Sequence, residues 1–351
     1  MTKVALRGLA QRKLRAFVTM LAVLLGVAFI AGSYVLTDTI NRSFDDIFDE
    51  AYAGTDVAIS SSTTGQADGA EVPAFPARYL DRVEQVPGVE KAAGGIFSIV
   101  RFVDEQGDPL GTSFAPQFVS SVAPAPFETL TYTDGRTPET AGEASIDQST
   151  ADREGLEIGD TLRVAGDAGV KGYELVGIQR LGDTSSGGSG TAQLTLPEAQ
   201  RLTDKVGEFD GISVQAAEDV SPAQLSRRIE RVLPARVTVE TGTQAAERQS
   251  QDIKDDLSFL RVILLVFGGV ALLVGSFLIF NTFSITVAQR IRELGLLRTL
   301  GATRGQLLRG LVLEAVIIGL AGSVLGVIAG IGVAQALSAL FKSIGADLPN
   351  T

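Results

Sequence analysis

The chain has 351 residues with no Cys, His or Trp, and its 41 acidic residues outnumber 30 basic ones, for a net charge of −11. Without Cys there is no disulfide, thiol nucleophile or thiolate metal site, and without His the commonest general base and metal ligand is missing. The acidic balance argues against nucleic acid, and no Gly-x-x-x-x-Gly-Lys-Ser/Thr is present to cradle a nucleotide, so no cofactor, metal or bond chemistry is expected of this chain itself.

Residues 1–15 form a basic N-terminus, with Lys3, Arg7, Arg12, Lys13 and Arg15 and no acid before Asp38. An uncharged run of 22 residues follows at 16–37; a second lies between Arg261 and Arg290, and a third covers Ala315–Phe341. Each exceeds the roughly 20 residues that a helix rising ~1.5 Å per residue needs to cross a ~30 Å hydrocarbon core. Core helices of soluble proteins are shorter and keep a polar stripe, and a cleavable signal's apolar region of roughly 7–15 residues is shorter too. The expected fold class is a membrane protein: three transmembrane α-helices, with a large α+β extracytoplasmic domain inserted between the first and second.

The charges sort by side. Between Asp38 and Asp256 lie 38 of the 41 acids against 18 basic residues, whereas Arg290–Arg309 holds five Arg and one Glu. Cytoplasmic segments retain Lys and Arg. The N-terminus is therefore placed in the cytoplasm, residues 38–256 outside, 257–289 as the second crossing with its stalk, 290–309 as a cytoplasmic loop and 310–341 as the third crossing. Residues 342–351 then lie outside. A chain ending ten residues after an outward crossing reads as truncated, so at least one further crossing is expected beyond it.

Within the outer region, strands and helices alternate. Ser60–Ala74 and Gly182–Thr191 read as polar loops. Strands are expected at 56–60, 96–103, 113–121, 161–164, 173–179, 211–215 and 237–240, and helices at 76–86, 197–206, 221–233 and 243–256. Pro197 and Pro222 sit where a first-turn proline is tolerated, with Ser221 as the cap. Residues 209–240 read strand–helix–strand, a small α+β unit. Gly159-Asp160 between two apolar runs reads as a turn rather than a ligand. No breaker lies between Gln244 and Phe267, so the last helix is expected to enter the second crossing as a stalk.

The loop after the second crossing carries Ile291, Leu294, Leu297 and Leu300 at spacings of three, one helical stripe, with Arg292, Glu293 and Arg298 off it and Gly301 placed to end the helix. A short amphipathic helix between two crossings is expected. Its chemistry suits either an interfacial element facing lipid phosphates or a docking element with Leu anchors and a charged rim. In the third crossing, Gly322, Gly326 and Gly330 line one helix face and admit close approach of another helix, either the first span through Ala28 and Gly32 or a second copy. Glu314, an intramembrane acid by sequence, is shallow enough to pair with Arg309 or Arg304 at the interface.

The stretch Gln289-Arg-x-Arg-Glu-Leu-Gly-Leu-Leu-Arg-x-Leu-Gly-Ala-Thr303, followed by Gln306-Leu and Glu314, closely resembles the FtsX/MacB-like family of ABC transporter permeases. Leu6-Arg-Gly-Leu-x-Gln-Arg-Lys-Leu-Arg15 with Gly26-Val27-Ala28 is similar to that family's opening. Glu143-Ala-Ser-Ile146, Gly155-Leu-x-Ile-Gly-Asp160 and Tyr173-Glu-Leu-Val-Gly177 resemble its extracytoplasmic core domain.

The resemblance implies four crossings per unit, a separate cytoplasmic ATPase subunit and motion transmitted through the stalk to the outer domain. It implies residence in the bacterial plasma (inner) membrane, a second permease unit (another copy, or a continuation of the same chain), membrane lipid around the helices and an extracytoplasmic protein partner. Carried onto this chain, Arg290, Arg292, Glu293, Leu294, Gly295, Leu297, Arg298 and Gly301 would form the ATPase-coupling helix, and the docking reading then outweighs lipid contact. Export, lipoprotein handling and cell-wall regulation are the roles implied. The alternatives are a membrane-anchored sensor or scaffold working without ATP and, more distantly, a hydrolase using paired carboxylates.

Overall fold

The structure, a computed structural model, describes residues 13–61, 73–111, 116–182, 189–256, 258–299 and 303–343. It divides into two compact units, Met1–Thr39 with Asp255–Ala339, and Ile40–Lys254 with Leu340–Thr351. The first element, α1 (Lys13–Ala51), contributes to both.

The Ile40–Lys254 unit holds two cores. One belongs to an antiparallel sheet of β1 (Val57–Ser61), β3 (Val89–Gly95), β12 (Gly211–Ala216) and β13 (Val237–Thr241), in the order β13-β1-β12-β3. Helices α2 (Arg78–Glu84) and α5 (Pro222–Glu230) cover one face, giving a βαββαβ plan. Each helix buries residues at i and i+4, Tyr79 and Val83 in α2 and Leu225 and Ile229 in α5, against Val57, Ile59, Ile212 and Val214. A short pair, β2 (Phe75–Pro76) with β11 (Glu208–Phe209), closes one end. Ser221 precedes α5 with an extended backbone but makes no side-chain cap bond. Its carbonyl accepts the Leu225 N–H instead, and Pro222, which has no N–H to satisfy, presets the first turn.

The other core is the inside of a closed ring of strands. The order is β6 (Leu130–Gly135), β9 (Gly169–Leu181), β7 (Glu143–Asp147), β10 (Gly190–Leu194), β5 (Gln117–Ser121), β4 (Phe97–Val103) and β8 (Thr161–Gly166), and β8 pairs back to β9. The 13-residue β9 makes closure possible, pairing β8 along Gly169–Glu174, β7 along Glu174–Gln179 and β6 along Gly177–Leu181. Closure of β9, β7, β10, β5, β4 and β8 removes the free edges that those six strands would leave in an open sheet, and β6 lies outside the ring, paired with β9. Inward residues include Phe102, Val119, Ile146, Leu162, Tyr173 and Leu194. Helix α3 (Gln148–Glu154) is capped by the Asp147 carboxylate, which accepts the Thr150 N–H at 3.0 Å, and stops at left-handed Gly155. Helix α4 (Leu196–Leu202) follows β10.

The reading of Gly182–Thr191 changes, and that of Gly159-Asp160 as a turn holds. Gly182–Thr191 is not loop throughout, because β10 begins at Gly190. In that strand Gln193 is buried, where it donates to Glu128 at 2.9 Å and accepts from Tyr132. The acid of Gly159-Asp160 is spent locally, its side chain accepting the Glu157 N–H at 2.8 Å in a turn at Gly159, φ 98°.

The stretch Ile40–Lys254 closes on α6 (Gly242–Asp256), whose last two residues fall in the other unit. The remaining helices, α7 (Ser258–Thr299) and α8 (Arg304–Ser343), belong with the first part of α1.

Candidate functional site

The helical unit is organised on α1. Gly322, Gly326 and Gly330 of α8 all face it: a β-carbon on Gly322 would meet Val23 Cβ at 3.0 Å, one on Gly326 Val27 Cβ at 2.8 Å, and one on Gly330 the Ala28 carbonyl oxygen at 2.6 Å. Helix α7 uses the same device elsewhere on α1, with Gly26 against Leu272 at 3.2 Å and Gly268 against Ile30 at 2.9 Å. In hydrocarbon there is no water to drive helices together, so close van der Waals contact through small residues has to hold them. Side chains pointing away from these contacts are large, apolar and exposed, among them Leu25, Phe267, Leu273, Phe277, Leu320 and Ile328. Among the described residues, two helices are long and apolar enough to cross a membrane, within Phe17–Ala51 and over Ala315–Ala336; Leu265–Asn281 of α7 is a shorter apolar stretch.

The basic segment is not a separate short helix. Helix α7 runs without interruption for 42 residues from Ser258 through Gln289 to Thr299. Arg, Glu and Leu are strong helix formers, and the stripe of leucines at spacings of three continues the helical period, so nothing at residue 290 ends it. Gly295 lies on this segment with nothing within 4 Å of its would-be β-carbon. The side chains of Arg290, Arg292, Glu293, Leu294, Leu297, Arg298 and Glu314 lie outside the described residues, as does Gly301.

Beyond the segment, Thr303 and Gln306 form a reciprocal cap. Gln306 N–H donates to Thr303 Oγ1 at 3.4 Å and Thr303 N–H donates to Gln306 Oε1 at 3.0 Å. The Thr and Gln of the motif therefore start α8, a signal readable in the sequence as Thr-x-x-Gln.

In the other unit, the Ile40–Ala51 part of α1 and α6 are tied by polar contacts. Asp45 Oδ1 accepts from Ser250 Oγ at 2.7 Å and from Lys254 Nζ at 2.5 Å, and Gln249 Nε2 donates to Tyr52 Oη at 2.6 Å. Arg248 bonds Glu240 at 2.8 Å and reaches Ser60. Burial pushes the Tyr52 phenol up to about 12, with Arg248 nearby pulling it down and Glu240 adding to the rise. Sequence reasoning missed the ties from α6 back to Asp45, Tyr52 and Ser60, because partners about 200 residues apart leave no local signal.

Buried charge elsewhere is structural. Glu198, 1% exposed, pairs with Lys171 and Arg201 and accepts the Tyr173 hydroxyl at 3.1 Å. Burial, then the neighbouring Glu198 carboxylate, raises the Tyr173 phenol above its ordinary range. Among the described residues no three His, Cys, Asp or Glu side chains are placed to hold a metal ion.

The family model described as MacB-like periplasmic core domain matches residues 16–232, and that described as FtsX-like permease C-terminal matches residues 265–350. The chain is 25% identical over 351 residues to the macrolide export ATP-binding/permease protein MacB of Shewanella oneidensis, covering 93% of this chain and 51% of that protein. It is 26% identical over 196 residues to an uncharacterized ABC transporter permease of Methanocaldococcus jannaschii, covering 55% of this chain and 47% of that one. The chain spans about half the length of the curated relatives it matches. Solved structures similar to it include the periplasmic region of MacB from Actinobacillus actinomycetemcomitans, at 9% identity and TM-score 0.41 over 57% of this chain and 94% of that one. The extracellular domain of YknZ from Gram-positive bacteria matches at 13% identity and TM-score 0.39, over 52% of this chain and 98% of that one.

Proposed function

Because the chain belongs to the FtsX/MacB-like family of ABC transporter permeases, we propose that it is a membrane subunit driven by a separate cytoplasmic ATPase, without enzymatic activity of its own. It carries no P-loop, so the ATP-binding part that a relative's name includes would come from outside these 351 residues. Three helices cross the bilayer, with the N-terminus and the segment around Arg290–Thr303 in the cytoplasm and residues 38–256 outside. A second permease unit completes the complex. The product is motion delivered to the outer domain, for export, lipoprotein handling or cell-wall regulation with an extracytoplasmic protein partner.

The observation that carries this reading is α7, one 42-residue helix holding both the apolar run and the Arg-rich segment. A docking segment that is the end of a crossing helix cannot be displaced without moving the crossing. A loop merely resting on lipid needs no such continuity.

The test is purification of the parent protein from its own membranes in mild detergent, with mass spectrometry of what co-elutes. A P-loop protein in stoichiometric amount is expected. Glu293→Lys with Leu294→Lys should remove it while the outer domain stays folded. Retention of no nucleotide-binding protein, even with a non-hydrolysable ATP analogue, would instead favour a sensor or scaffold.

A further inference from the structure

The chain passes between the open sheet and the ring of strands twice. It leaves at Gly95–Phe97, from β3 to β4, and returns at Thr203–Gly211, from α4 to β12. The two halves have separate cores, one around Val57, Ile59 and Ile212, the other around Phe102, Ile146 and Leu162. At the junction sits an ion pair almost out of water: the side chains of Lys205 and Asp210 are 10% and 9% exposed.

Lys205 Nζ donates to Asp210 Oδ1 at 2.9 Å and to Ser98 Oγ at 2.8 Å. Asp210 Oδ2 accepts from Ser98 Oγ at 2.9 Å and from the Phe97 N–H at 2.9 Å, and Asp210 N–H donates to the Gly95 carbonyl at 2.9 Å. Both charges lie on the returning crossing, and four of these five bonds reach the outgoing one or the first strand of the ring. The returning crossing is itself braced. Asp204 takes a left-handed conformation, φ 53°, Lys205 N–H donates to the Gln200 carbonyl at 2.8 Å, and Gln200 Nε2 donates to the Glu208 carbonyl at 2.8 Å.

We infer that Lys205, Asp210 and Ser98 form a clamp that locks the ring of strands to the open sheet, so that the outer domain responds to a push as one rigid body. Any rotation at the two crossings has to draw Phe97 and Ser98 away from Asp210, leaving a carboxylate and an ammonium with fewer partners where little water can replace them. Leu196 of α4 packs against both cores, and the clamp adds to that apolar tie in opposing such a rotation. The clamp is a property of the outer domain alone; its use in transmitting motion rests on the coupling reading above.

The native absence of Cys allows spin labels at two introduced cysteines in the membrane-embedded chain, Val170→Cys on the ring and Glu230→Cys on α5, both exposed. Pulsed electron resonance should give a single narrow distance peak. Asp210→Asn, which keeps the size of the side chain and an acceptor for Phe97, should lose that single peak while hydrogen-exchange protection of both cores persists. Lys205→Met should do the same. A peak unchanged in both variants overturns the clamp. So does loss of protection throughout both cores in Asp210→Asn, since the cluster would then be part of the packing and not a lock between two halves. No ATPase is present in this measurement, so its failure is distinct from failure of the coupling reading.

Discussion

The backbones of Gly32 and Gly330 touch: a β-carbon on Gly32 would stand 3.0 Å from the Gly330 carbonyl oxygen, and one on Gly330 would stand 3.0 Å from the Gly32 nitrogen. Such an approach is open only to glycine, because the obstructing atoms are backbone and cannot swing aside. Gly330→Leu should therefore cost about 1–3 kcal/mol through forced separation of α1 and α8. Gly319→Leu and Gly332→Leu, whose β-carbons meet nothing within 4 Å, should be close to neutral. Titration of the membrane-embedded chain with a denaturing detergent, followed by far-ultraviolet dichroism, separates the two outcomes.

Gly242 opens α6 with its would-be β-carbon 1.9 Å from the Thr55 carbonyl oxygen, while its N–H donates to the Asp56 carbonyl at 2.9 Å. Gly242→Ala should push α6 off the chain that follows α1 and cost about 1–3 kcal/mol. It should also weaken the Tyr52–Gln249 contact, seen as a lower urea midpoint with faster amide exchange in α6 than in the ring of strands.

The Tyr52 phenol, pushed up to about 12 mainly by burial, ties stability to alkaline pH. Its folded value lies above the unfolded one of about 10, so its contribution is fully present below pH ~10 and is lost as pH rises through ~12. Tyr52→Phe should flatten part of the alkaline loss, at most about 3 kcal/mol. Tyr132 and Tyr173, also raised chiefly by burial, account for further slope in the same direction. Urea midpoints between pH 8 and pH 12, on wild type and variant, read it directly.

On the acid side, the bidentate bond from Arg136, at 2.6 and 3.0 Å, holds Glu143 well below the usual carboxylate range, and the N–H groups of Glu139 and Thr140 add to it. A depressed carboxylate contributes stability above its unfolded value, about 4.3, and loses it as pH falls through the folded one. Glu143→Gln should lower stability at neutral pH and reduce the acid slope. An acid limb identical in the two proteins would count against the assignment.

Much of the outer domain is legible from pattern. The runs at 57–61, 97–103, 161–166, 211–216 and 237–241 announce themselves by β-rich composition, and the Pro-initiated helices by their first turns. The strand Val89–Gly95 does not, being Val-Glu-Lys-Ala-Ala-Gly-Gly; it survives because Gly94 leaves room for the Phe209 ring, which would lie 2.4 Å from any β-carbon there. Helix α3 had a usable signal, Asp147 ahead of it and Gly155 after it, that short length concealed.

Charge segregation, three long uncharged runs and the Arg-rich motif are local properties of the chain, because solvent acts on each segment separately: a bilayer takes apolar runs and charge asymmetry sets the side. Family membership followed from the same local text. Which face of α8 meets α1, the closing of six strands into a ring through one long β9, and the meeting of Lys205 with Ser98 are pairings between residues far apart in sequence. No periodicity encodes such partners. They exist only where burial makes an unpaired backbone or charge costly, and that cost is assessed across the whole fold.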